Sequence, residues 1–307
     1  MNITRRKFGA GAFLLAADAA LGAAKSPQAT FPTDPRARIA VASYPFRASI
    51  VAPHNQDRDA TKTGMDLPGF ARFIKSEFHV SGIEPLDSHF PSKERSEVIK
   101  LRAAFDAAGV RTVNIPVDEE VELCSDDQAK RDAGNASYRH WVDIAVILGS
   151  PSIRIWIPKC ADTSDLPKAV KALQPTIDYA ATQNIVVNLE NDDPVLSSDT
   201  RVLAAIRLAN SPYFRALPDF GNALMGGDEN FNAQAVKRMF TQAWNIAHVK
   251  DAEFIDGKRK TVSLAELFGI AKAAGYRGYY SMESDSNADP FTDTKHLIEQ
   301  SLTLIPV

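Results

Sequence analysis

The sequence predicts an α/β protein, a single (β/α)8 or TIM barrel, and three observations predict it. Short apolar runs alternate with helix-patterned segments eight times along the 307-residue chain. Several of these runs are almost continuously apolar, as parallel strands covered by helices should be. Ligand-type side chains close the last four runs: Glu190, Asp219, His248 and Glu283 follow one another at intervals of 29, 29 and 35 residues. One βα repeat is about that long, since eight repeats take roughly 250 residues.

The chain opens on Thr4-Arg5-Arg6-Lys7-Phe8, followed by a Gly/Ala/Leu-rich stretch that ends in Gly22-Ala23-Ala24. Its apolar residues form no 3.6-residue face, although Asp18 interrupts them. Residues 1–24 therefore resemble a twin-arginine signal peptide, which predicts a periplasmic or secreted protein. No lipoprotein cysteine is present, so a soluble mature protein is expected. A polar, Pro-containing linker is expected over residues 25–37, and a single barrel domain over residues 38–307.

Strand candidates are residues 39–44, 82–86, 111–116, 152–157, 185–189, 214–218, 245–249 and 278–282, rich in Ile, Val and aromatics. Helices fill the gaps. Ser92 opens one whose face carries Val98, Leu101, Phe105 and Ala108, with Gly109 as the stop. Trp141, Ile144, Ala145 and Leu148 mark a second, closed by Gly149, and Val170, Leu173, Ile177 and Ala180 mark a third. Ser263-Leu264-Ala265-Glu266 is a capping-box pattern ahead of Leu267, Ile270, Ala271 and Ala274. An open doubly wound sheet would want a Gly-rich phosphate loop after the first strand. That position reads Ser43-Tyr44-Pro45-Phe46-Arg47 instead. The connection from Arg47 to Asp66 is long enough to be either a functional lid or a polar loop.

Composition narrows the function. The chain is 45% hydrophobic and 24% charged, with a formal net charge of −3. These are values of an ordinary globular protein without the basic footprint of a nucleic-acid binder. Beyond the leader, no apolar run is long enough to span a bilayer. Cys124 and Cys160 are the only cysteines. An oxidising compartment permits their pairing, but their positions alone leave it open.

In a barrel the carboxyl ends of the strands converge, and active sites form there. Glu190, Asp219, His248 and Glu283 would meet at that face. Three carboxylates packed together repel one another and are costly to desolvate unless a cation joins them. The mostly oxygen ligand set favours Mn²⁺, Mg²⁺ or Co²⁺ over a structural zinc, with Zn²⁺ still allowed. Asp192, Asp193, Asp251 and Asp285 stand one to three residues away and are candidate outer partners.

Other side chains could line the same mouth. Lys250 shares a strand face with His248 and could bind a substrate oxygen or pair with Asp251. His89 could be an acid or base, or a structural residue. Arg154 and Trp156 alternate on the fourth strand, where the indole could stack on a sugar ring or fill the barrel. Glu84 on the second strand could reach a substrate hydroxyl. Lys258-Arg259-Lys260 reads as a solvated loop rather than a phosphate site.

The segments Asn188-Leu189-Glu190, Pro218-Asp219-Phe220, His248-Val249-Lys250-Asp251 and Met282-Glu283 resemble those of the xylose-isomerase-like barrels, the sugar phosphate isomerases and epimerases, across roughly residues 38–305. The resemblance implies that Glu190, Asp219, His248 and Glu283 hold one catalytic metal ion, most often Mn²⁺. In the ketose 3-epimerase branch the residues matching Glu190 and Glu283 also move protons on opposite faces of the sugar. This chain carries Asn222 where that branch has a histidine, and Phe254 where it has an arginine. The fold and the metal thus carry over better than the reaction, and the expected substrate contacts are Lys250, His89, Arg154, Trp156, Asn222 and Glu84. The family also shades into apurinic endonucleases, which use extra histidines, whereas this chain has six in total.

The function expected is an exported, divalent-metal-dependent sugar isomerase or epimerase. It would abstract a proton next to a carbonyl through a metal-stabilised enediolate. Alternatives are a metal-dependent lyase or hydratase of 3-keto-glycosides and a non-catalytic sugar-binding barrel. The expected partner is a small-molecule sugar or glycoside without phosphate, since free sugar phosphates are scarce outside the cytoplasm. Nucleic acid is not expected, nor membrane once the signal is cleaved, and a homo-oligomer stays open.

Overall fold

The computed structural model describes residues 26–156, 160, 166–192, 199–284 and 289–305. Segment 1–24, read from the sequence as resembling a signal peptide, and Asp193 and Asp285 lie outside the described residues. The strands are β1 Ile39–Ala42, β2 Gly82–Glu84, β3 Arg111–Thr112, β4 Ser152–Ile155, β5 Val186–Glu190, β6 Phe214–Leu217, β7 Ile246–Val249, β8 Ala252–Ile255, β9 Lys258–Thr261 and β10 Tyr279–Met282. The helices are α1 Leu67–Phe78, α2 Arg95–Ala108, α3 Gln128–Leu148, α4 Leu166–Thr182, α5 Asp199–Ala209, α6 Glu229–Met239, α7 Leu264–Ala273 and α8 Pro290–Leu304.

Parallel pairing runs β3-β2-β1-β10-β7 in one sheet and β4-β5-β6 in another. Two seams join them. A parallel bridge links Pro116 with Arg154, and two more link Ala216 with Ala243 and Asp219 with His248. The eight parallel strands thus form the barrel that the alternating pattern predicts. They are shorter than the apolar runs, because ladder pairing stops where the chain turns out toward the loops. β3 spans only Arg111–Thr112, and its predicted continuation reaches β4 through the Pro116 bridge.

Six of the barrel strands, β1, β2, β4, β5, β7 and β10, are buried along their whole length because helices cover the outside and side chains fill the inside. Asp66, Asp127, Asp228, Ser263 and Asp289 cap their helices by accepting backbone N–H groups. Gly109 ends α2 at φ 69°, a conformation that costs glycine little. At Gly278 a Cβ would lie 2.5 Å from the Asn245 backbone, so only glycine lets β10 approach β7 so closely. Phe31, in the segment read as a linker, packs edge-on against Trp244 and Tyr279 and stands on a small cluster of Ala40, Val113, Leu217 and Ile246.

Two connections differ from simple loops. The long segment after β1 folds back on itself through an Ile50–Met65 bridge, and Asn55 donates to the carbonyls of Arg47 and Ile50. The Lys258-Arg259-Lys260 run is not a loop. It forms the exposed strand β9, paired antiparallel with β8. The turn between them is Asp256-Gly257, with φ of 51° and 71°, the geometry that favours a two-residue hairpin. No described helix is long and apolar enough to cross a membrane.

Candidate metal centre

Four strand ends deliver the four predicted ligands to one point. Glu190 is the last residue of β5, Asp219 follows β6, His248 lies within β7, and Glu283 directly follows β10. One ligand atom from each lies within 4.8 Å of the others, and all four residues are buried. His248 Nδ1 sits 2.7 Å from Glu190 Oε1 and 3.0 Å from Glu283 Oε2.

The local chain geometry aims Asp219. Its Oδ1 accepts the backbone N–H groups of Gly221 at 2.8 Å and Asn222 at 2.6 Å. Asn191 pins the same turn by accepting the Asp219 N–H at 2.9 Å. Asp219 Oδ2 is left buried and without a hydrogen bond among the described residues, with the Lys250 ammonium 3.8 Å away as an ion-pair partner. A buried carboxylate oxygen without a donor is expensive. A divalent cation shared with the three neighbouring ligands would remove that cost, so the residues present fit such an ion.

The charges show the same tension. Burial pushes Asp219 up to about 6, with Glu190 and Glu283 adding to the rise while Lys250 opposes it. Burial likewise raises Glu190 against the pull of His248. Burial works against the charge on His248, but Glu190, Glu283 and Glu84 raise it well above its ordinary value. Glu283, raised by burial but held down by His248 and Lys250, falls to about 2. Lys250 stays protonated: Asp219, Glu283 and Glu253 outweigh the effect of its burial.

A cavity of about 360 Å³ opens above the quartet. Of the predicted substrate contacts, Glu84, Arg154, Trp156, Asn222 and Lys250 line it, and His89 does not. His89 is 1% exposed, with Nδ1 2.7 Å from Ser43 Oγ. Burial and the nearby Arg47 lower it to about 4, so it stands neutral. Lys250 donates to Asn222 Oδ1 at 2.8 Å and not to Asp251, which pairs with Arg259 of β9 at 2.7 Å. Arg154 lies 3.1 Å from Glu190 Oε2, bonds Asp118 and stacks over the Trp156 ring. Trp156 Nε1 donates to Asp118 Oδ1 at 3.0 Å.

The lining also holds residues that sequence reasoning passed over: Tyr44, Asp118, Met225 and Glu253. Asp118 sits beyond the short β3, where no periodicity marks it, and Glu253 belongs to the unanticipated hairpin. The Asp256-Gly257 turn signal was the available clue to the latter. Cys124 and Cys160 are joined in a disulfide, which ties the loop after β3 to the loop after β4.

The family model of the xylose isomerase-like TIM barrel matches residues 76–305. The chain belongs to the xylose isomerase-like TIM barrel family. Solved structures show the same fold at low identity. A D-psicose 3-epimerase from Clostridium cellulolyticum H10, solved with D-tagatose, aligns with a TM-score of 0.68 at 13% identity, over 88% of this chain and 100% of its own. A 3-keto-D-glucoside 4-epimerase from E. coli aligns with a TM-score of 0.65 at 15% identity, over 87% and 99%. A xylose isomerase-like TIM barrel protein from Mycobacterium smegmatis, solved with magnesium, aligns with a TM-score of 0.64 at 14% identity, over 88% and 98%. No curated protein matches the chain.

Proposed function

We propose that this barrel is an exported, divalent-metal-dependent sugar isomerase or epimerase, with Mn²⁺ as the preferred ion. The observation that carries the proposal is the convergence of Glu190, Asp219, His248 and Glu283 within 4.8 Å, with Asp219 Oδ2 left without a hydrogen bond. A divalent ion held there would polarise a carbonyl oxygen as a Lewis acid.

The chain's own residues supply the rest. Glu190 and Glu283 approach His248 Nδ1 from different strands, and each can take a proton from the carbon beside the carbonyl and return it. Lys250 is placed to donate to a substrate oxygen, with Asn222 orienting its ammonium. Trp156 offers an aromatic face to a sugar ring, while Asp118, Asp192 and Glu253 can accept hydroxyl hydrogens. Those same carboxylates repel phosphate, so the substrate is an uncharged sugar or glycoside.

A second reading, a lyase or hydratase of 3-keto-glycosides, is favoured by Lys250. Its ammonium lies 3.7 Å from Glu283 Oε2, so a base and a proton donor for a leaving group stand side by side.

The test is incubation of Mn²⁺-loaded protein in D₂O with free ketoses and with 3-keto-glucosides, followed by proton NMR. Epimerisation or isomerisation predicts loss of a carbon-bound proton signal with a new sugar spin system. Elimination predicts release of the aglycone or a vinylic signal. Absence of exchange in every sugar would contradict an enzymatic role.

A further inference from the structure

Glu84 is 0% exposed, yet nothing in the proton transfers above uses its carboxylate. Both of its oxygens face His248 Nε2, at 3.0 and 3.1 Å, on the side of the ring away from Glu190 and Glu283. Glu84 Oε1 also accepts Asn114 Nδ2 at 2.7 Å. Behind Asn114 a chain of donors crosses the barrel interior. Ser152 Oγ donates to Asn114 Oδ1, Asn245 Nδ2 donates to Ser152 Oγ at 2.6 Å, and Asn188 Nδ2 donates to Asn245 Oδ1 at 3.1 Å. All four of these polar residues are 0% exposed.

Every donor in that chain points toward Glu84. Buried hydrogen bonds aligned in one direction polarise one another and favour negative charge at their accepting end. An imidazole binds a metal ion only through an unprotonated nitrogen, and the partner of its other nitrogen decides which one that is. Residues of β2, β4 and β5, with Asn114 just past β3 and Asn245 just before β7, thus cooperate to hold one acceptor against one ring nitrogen.

We infer that Glu84 is a positioning residue for the metal site: it accepts the Nε2 proton of His248, fixes the ring, and so presents the Nδ1 lone pair to the ion. The inference rests on the metal site proposed above. It gives the buried Asn114–Ser152–Asn245–Asn188 relay a purpose, as the support of that one carboxylate. It also gives Glu84, which borders the cavity, a role toward His248 rather than toward substrate.

The experiment is Mn²⁺ titration by calorimetry of wild type, Glu84→Gln and Glu84→Leu, with folding checked by circular dichroism. Gln keeps the shape and one acceptor but loses the charge, whereas Leu loses both. Loss of such an outer partner typically weakens metal binding about 10–100-fold, and Leu should exceed Gln. A merely structural role is separated by nitrogen NMR of ¹⁵N-histidine protein loaded with Zn²⁺. His248 should show an Nε2–H shifted by its hydrogen bond to a carboxylate in wild type, and that hydrogen-bond shift should be lost in Glu84→Leu. Should the Leu variant not fold, Glu84→Gln carries the test. Mn²⁺ affinity within about threefold of wild type in a folded variant overturns the inference, since a true outer partner would shift it further. Wild type that binds no ion overturns the metal site itself, and this inference with it.

Discussion

Lys250 donates its ammonium to Asn222 Oδ1 at 2.8 Å, and the same nitrogen lies 3.5 Å from Glu253 and 3.7 Å from Glu283. The Lys250 cation therefore stands among the carboxylates that line the cavity. Replacing Lys250 with Met should reduce turnover by about 10²–10⁴-fold, the usual effect of removing a proton donor. The metal-free variant should also melt lower than metal-free wild type, because Asp219, Glu253 and Glu283 lose their compensating charge. Saturating Mn²⁺ should narrow that gap. Thermal melts with and without the ion, beside exchange rates, check both effects. An active Met variant would leave catalysis to the two glutamates alone.

Asp87 predicts a pH effect away from the metal. Burial, and then the charge of Asp118, raise its carboxyl from 3.8 to about 7. Between those values the folded protein holds a proton that the unfolded chain has released. The group is therefore neutral to stability below about pH 4 and increasingly destabilising toward pH 7, by up to roughly 4 kcal/mol. Asp87→Asn removes that dependence, although its amide meets the Asp118 N–H less well. The melting temperature of the variant relative to wild type should rise from pH 4 to pH 7. A flat difference would show that Asp87 ionises normally.

Much of this site is legible in the sequence because each candidate ligand comes from the end of its own strand. Regular repeat length then does the placing, and Glu190, Asp219, His248 and Glu283 need no knowledge of loops. Contacts made across the barrel leave no such trace. Glu84 and His248 stand 164 residues apart and meet only once the ring closes. Asp118, bonded to Arg154 and Trp156, lies past a strand too short to show alternation. The β8–β9 hairpin was hidden because three successive basic residues read as solvated loop. Its exposed edge is indeed solvated, but it is still paired.

The Cys124–Cys160 bridge closes a loop of 36 residues and should contribute ~4 kcal/mol by restricting the unfolded chain. The double Ser variant should melt several degrees lower and, by loosening the loops that carry Asp118 and Trp156, raise KM more than it lowers kcat. Melts and kinetics of that variant test the bridge. Such a bond also suits the export we propose. Thiol titration of protein from the periplasmic fraction should find no free thiol, and changing Arg5 and Arg6 to Lys should leave reduced precursor inside the cell. Normal export of that variant would contradict the twin-arginine route.

The central claim is that Glu190, Asp219, His248 and Glu283 together hold one divalent ion. Elemental analysis of protein purified without chelator tests it most directly, comparing wild type with an Asp219→Ala/His248→Ala double variant. The expected result is about one ion per wild-type chain and almost none in the folded variant, because two of the four candidate ligands are gone. Undiminished metal in the variant would contradict it.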